Sequence, residues 1–156
     1  MKKSLLIFTL VLILSTLIHH KVIAAEHEHH HEVNEAKLSL NDGHKWPIDK
    51  SLHIGMNKIK IEIANNLSDI HHDQFSAEQY TVLATRLEAH LNFLFANCQL
   101  PPSADAQLHT LLAKVMQGVD NIKHSTNKKQ GAVQIIQALR AYPVYFADTN
   151  WQSIQH

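Results

Sequence analysis

An all-α, up-down four-helix bundle preceded by a disordered, histidine-rich arm is the architecture this chain predicts. Three observations point to it. Four segments repeat apolar residues every three or four positions, the spacing of one helix face. The links between them run to only about four to seven residues, which folds each helix back on the last. Gly and Pro are scarce, at 4 each in 156 residues, too few for a loop-rich or all-β domain.

The chain opens on what reads as a secretory signal, residues 1–25. Lys2 and Lys3 form its positive end, and Leu5 to Ile18 its apolar run, short of the ~20 residues that span a bilayer. Val22-Ile23-Ala24-Ala25 offers a small-residue cleavage site, and an uncleaved N-terminal anchor is the alternative. No Cys follows, which argues against a lipid anchor. The signal looks bacterial and implies the periplasm, an oxidising compartment.

Residues 26–50 form the arm and a lead-in. The arm begins EHEHHHEV, polar and without apolar periodicity, and is expected to be disordered without a ligand. In the lead-in, Leu38 and Leu40 alternate with polar residues, Asn41-Asp42-Gly43 signals a turn, and Trp46-Pro47 stops any helix. Trp46 is expected to pack on the domain that follows, residues 51–151.

The first helix is expected over about 51–70, capped by Asp49 or Ser51, with Leu52, Met56, Ile59, Ile63, Leu67 and Ile70 as its stripe. Ser76-Ala77-Glu78-Gln79 fits a capping box that starts the second helix, which runs to about Asn97. Its stripe is Tyr80, Leu83, Leu87, Leu91, Leu94 and Cys98. The third helix follows Pro101-Pro102 with Ser103 as N-cap and reaches about Lys123, burying Leu108, Leu111, Leu112, Val115, Val119 and Ile122. The fourth starts near Asn127 or Lys128. Val133, Ile136 and Leu139 set its face, and Pro143 kinks or ends it. Tyr145, Phe146 and Trp151 are placed to cap the open end of the bundle. A core of this size needs no disulfide or structural metal, so a bound metal would be functional.

Lys+Arg and Asp+Glu both number 14, so bulk charge does not predict nucleic-acid binding. Loss of residues 1–25 removes three lysines and no acid, which leaves the mature chain slightly acidic. The single cysteine, Cys98, excludes an internal disulfide. No CxxCH, GxGxxG or GxxxxGK[ST] occurs, so c-type haem attachment and the common nucleotide-binding motifs are absent.

Histidine, at 14, is the compositional outlier. His27, His29, His30 and His31 sit among Glu26, Glu28 and Glu32. Neutral imidazoles bind Zn²⁺, Cu²⁺ and Ni²⁺, and carboxylates complete a shell. The alternative is a soluble spacer. His71-His72-Asp73 reads as a polar link, since adjacent side chains on a helix end diverge by about 100°. A second metal set is Cys98, Asp105 and His109. Asp105 and His109 lie i, i+4 on one face, and the short link brings Cys98 beside that helix. His90 lies deeper on a neighbouring face, and Met116 sits too deep to add a thioether. The same residues also read as ordinary structure: Cys98 a small buried hydrophobe, Asp105 a first-turn acid, His109 half-buried. A redox thiol or a disulfide-linked dimer stays open. Cys98 as a catalytic nucleophile is disfavoured at a helix C-terminus, where the dipole opposes a thiolate.

The lead-in LSLNDGHKWPIDKSLHIGM and the link NCQLPPSADAQLHTLL together resemble a group of small exported Gram-negative proteins labelled DnrO-like. Members share a His-rich mature N-terminus and a Gly-x-Lys-Trp lead-in, here Gly43, Lys45 and Trp46. They also share a Cys-x-Leu-x-x-x-Ala-Asp-Ala-x-Leu-His link, here Cys98, Leu100, Ala104, Asp105, Ala106, Leu108 and His109. The resemblance covers roughly residues 26–151. It implies a periplasmic helical protein with no assigned activity, and it groups Cys98, Asp105 and His109 as a unit.

The expectation is therefore a non-enzymatic periplasmic protein that binds zinc or copper and buffers or delivers it, with metal ions and a periplasmic protein as partners and no nucleic acid or membrane span. The runner-up is a protein-interaction or accessory module that works through the bundle surface.

Overall fold

Four helices carry the fold: α1 (Lys50–His71), α2 (Ala77–Asn97), α3 (Pro102–His124) and α4 (Lys128–Tyr145). They form the all-α four-helix bundle expected. The computed structural model describes residues 37–154; the predicted leader and the His27–His31 run lie outside the described residues. Hydrogen bonds at the helix ends fix the up-down order. Asp49, before α1, accepts from the amide of Gln99, after α2 (2.7 Å). Lys129, opening α4, donates to the carbonyl of His71, closing α1 (2.9 Å). Among the described residues no helix is long and apolar enough to cross a membrane.

Each helix starts where its local chemistry allows. Asp49 caps α1 by accepting from the Leu52 amide (2.6 Å). Ser76 and Gln79 form the reciprocal capping box of α2. α3 departs from expectation. It begins at Pro102 with Pro101 as N-cap and no side-chain cap, so Ser103 already lies inside the helix. Proline suits that first position because its missing N–H would have had no partner there. Asn127 caps α4. That helix runs through Pro143 to Tyr145 rather than ending before it.

The stripes of α1 to α3 are buried as predicted, except that Leu67 and Cys98 are only half-buried at its margin. On α4 the face rotates. Ala132, Ile135, Leu139 and Tyr142 fill the core, Ile136 is buried at its edge, and Val133 is half-buried. The reason is the α3–α4 crossing, where Gly118 and Gly131 bring two backbones together without Cβ atoms. A methyl on Gly131 would land on the Gly118 carbonyl and within 2.8 Å of the Ile122 amide nitrogen.

One end of the bundle is closed by the lead-in and the tail. Asn41 and His44 pair across a turn in which Asp42 (φ 49°) and Gly43 (φ 86°) take left-handed conformations. Trp46 then bridges to the tail: its amide donates to the Tyr145 carbonyl (2.7 Å), and its carbonyl accepts from Ala147 (2.9 Å). Phe146 is fully buried and stacks on Tyr142 at 5.4 Å.

Candidate functional site

The up-down order gathers the N-terminus of α1, the C-terminus of α2, the N-terminus of α3 and the C-terminus of α4 at that closed end. Cys98, Asp105 and His109 all come from this region. Cys98 caps α2, its amide donating to the Leu94 carbonyl (3.0 Å) while its side chain packs against the core. Burial, then the charges of Asp49 and Asp105, push its thiol up to about 12. It therefore stays protonated at neutral pH.

Asp105 and His109 do meet, at 3.9 Å, on an exposed face of α3. His109 is exposed rather than half-buried, and its ring lies 5.8 Å from that of Phe95. Met116, expected to be deep, is 48% exposed. His90 faces the opposite neighbour: Nε2 is 3.5 Å from Glu62 on α1. Among the described residues, no three of His, Cys, Asp and Glu are grouped so as to hold a metal ion. The expected set of Cys98, Asp105 and His109 is therefore not such a group, although the Asp105 charge is felt at the thiol. The pair on α3 faces solvent, whereas the thiol packs against the core and keeps its proton.

Three further histidines also have local partners. His71 and His72 meet edge-on at 5.1 Å, and the Nδ1 of His72 bonds the Ser68 carbonyl (2.8 Å). Lys129 takes Asp73 (2.8 Å) and holds that carboxyl below its usual range. His124 pairs with Asp120 at 3.6 Å along α3.

The most highly built polar cluster at this end was not anticipated. Asp148, the sole buried charged residue among those described, accepts from the Tyr142 hydroxyl (3.0 Å), the His53 Nδ1 (2.8 Å) and the Asn150 amide (3.2 Å). Burial, then the Asp148 charge, push the Tyr142 hydroxyl upward, so it serves as a donor throughout the accessible pH range. Trp151 packs edge-on against Tyr142 at 4.7 Å, and Lys60 sits over its ring at 4.7 Å. The arrangement ties the tail to α1. The carboxylate orients the His53 ring. Only Tyr142 carried a sequence signal, three residues after Leu139 on the apolar face. His53 lies off the α1 stripe, and Asp148 lies in the tail with no periodicity to mark it.

No protein-family model, curated protein or solved structure matches this chain.

The raised Cys98 thiol has a direct consequence. Its folded value lies above that of a free thiol, so its contribution to stability is intact below about pH 8.5. That contribution is lost as pH rises from there through about 12. Iodoacetamide is expected to alkylate the native chain at pH 8 on the order of 100-fold more slowly than the urea-unfolded chain, because the thiolate is the nucleophile. Equal rates, followed by mass spectrometry, would show a free thiolate in the folded protein.

Proposed function

We propose that this chain is a periplasmic binding protein for zinc or copper ions, a member of the DnrO-like group, and that it buffers or delivers them. The observation that carries the reading is the stretch Glu26–Glu32, which holds His27, His29, His30, His31 and three glutamates. Imidazole is the common ligand of both ions, and adjacent histidines reach one ion if the backbone adapts. The bundle supports this division of labour. Its histidines are largely engaged by carboxylates and carbonyls, and its described residues offer no group of three ligands. On this reading the arm captures the ion and the bundle is the stable body that presents it.

Native mass spectrometry of the untagged full chain, titrated with Zn²⁺ and Cu²⁺, tests the proposal. Replacing His27, His29, His30 and His31 by Ala is expected to weaken binding by on the order of 100-fold, about 2.7 kcal/mol. Binding by the parent chain should weaken as pH falls through about 6.5, where imidazole gains a proton and loses its lone pair. A parent chain indifferent to both ions sinks the reading.

A second reading, an interaction module without a metal role, has one observation of its own. Phe95 and Met116 are each 48% exposed and flank a groove of ≈ 280 Å³ between α2 and α3. Metal-free chain that captures a periplasmic protein, with the capture lost on Phe95→Ser, would favour it.

A further inference from the structure

A groove of ≈ 650 Å³ runs between α3 and α4, and neither Cys98 nor His109 lines it. Small-molecule sites commonly measure about 300–1,000 Å³. Its origin is in the packing. Gly118 and Gly131 let the two helices touch at one point. Beyond that crossing the facing positions are Ala113, Ala138 and Ala141, whose short side chains leave the space between the helices unfilled. The lead-in closes one end of this space. Trp46 Nε1 donates to the Ser39 carbonyl (2.6 Å), and the Ser39 amide donates to Gln107 on α3 (2.8 Å), which sets Lys37 and Leu38 in the groove wall.

The lining is one-sided in charge. Lys37 and Lys114 line it, no Asp or Glu does, and neither lysine is ion-paired among the described residues. Further donors stand ready: the side chains of Gln117 and Gln137 and the Tyr145 hydroxyl make no hydrogen bond with a described residue. The other grooves differ. That between α2 and α3 carries Glu88, Asp120 and Lys123, with Lys123 bonded to Glu88 at 2.7 Å. That between α1 and α2 carries Glu62 and Glu78 beside Arg86. Positive charge without a counter-charge among the described lining residues, set beside apolar alanine and leucine surface, selects a ligand with an anionic head and an apolar body.

We propose that the α3–α4 groove binds a small organic anion, its acid group held by Lys37 and Lys114 and its apolar body lying on Ala113, Ala138 and Leu38. This is independent of metal binding by the arm. The acid group attracts both ammonium groups, and the amides of Gln117 and Gln137 supply hydrogen bonds to its oxygens.

The test is a chemical-shift titration of the ¹⁵N-labelled full chain with naphthalene-2-sulfonate, and separately with the uncharged naphthalene-2-sulfonamide. The sulfonate is expected to shift amides along Ala113–Gln117 and Gln137–Ala141, and the sulfonamide to bind about tenfold more weakly. Lys114→Glu, an exposed substitution, is expected to weaken the sulfonate by about tenfold or more while thermal melting stays within a few degrees of the parent. Ala113→Phe, also exposed, should occlude the groove and abolish the shifts. Equal affinity for the two probes, an unchanged response in Lys114→Glu, or shifts confined to the α2–α3 groove would each overturn the proposal. So would the absence of binding at millimolar sulfonate.

Discussion

Gly131→Ala is expected to lower the stability of the bundle by about 3 kcal/mol, although alanine favours a helix over glycine by ~1 kcal/mol. The sign turns on what the new methyl meets. At Gly131 it would strike the Gly118 carbonyl and the Ile122 amide nitrogen, both backbone atoms of α3. Neither can rotate away as a side chain would, so the two helices must separate. Separation costs contacts on both sides of the crossing, since interiors are close-packed. Gly118→Ala should be milder, because part of its clash is with the Ile135 side chain. Thermal unfolding followed by circular dichroism measures the effect, with a fall in melting temperature of roughly 10–15 °C for Gly131→Ala. A midpoint equal to or above that of the parent would mean that α3 and α4 do not cross at these glycines.

Asp148→Ala is expected to cost about 2–3 kcal/mol, a loss out of proportion for a residue in a tail. The carboxylate is the common acceptor for Tyr142, His53 and the Asn150 amide. Its removal strands the hydroxyl of a fully buried tyrosine, and an unsatisfied buried donor costs ~1–3 kcal/mol. It also releases the tail from α1, and with it the packing of Trp151 on Tyr142. Tyr142→Phe removes one donor and leaves Asp148 two others, so about 1 kcal/mol is expected there. The double variant should cost less than the sum, because both changes break the same bond. Strict additivity, or an Asp148→Ala chain as stable as the parent, would dissolve the cluster as a unit.

Much of the scaffold was legible because its signals are local. The stripe from Leu52 to Ile70 and the Ser76–Gln79 box each depend on residues within a few turns of one another; the box forms as read, and the stripe is buried except for half-buried Leu67. Ser103 failed as a cap because Pro101 and Pro102 allow the helix to begin two residues earlier, with Pro101 as N-cap. The candidate site was less legible. Spacing put Asp105 and His109 on one face, and they do meet. Spacing could not say that Cys98 packs against the core, or that His90 faces Glu62. Each of those depends on how one helix rotates against another.

The sequence by itself determined the four helices, most of their caps, the buried face of α1 to α3, and the crowding of imidazoles between Glu26 and Glu32. These follow from helical periodicity and side-chain chemistry, which act over short stretches of chain. Only the tertiary structure decided the turn of α4 about Gly118 and Gly131, the joining of His53 to Asp148, and the lysine-lined groove between α3 and α4. In each case the partners are distant in sequence, and their meeting depends on which faces pack, a property of the assembled bundle that no single helix contains.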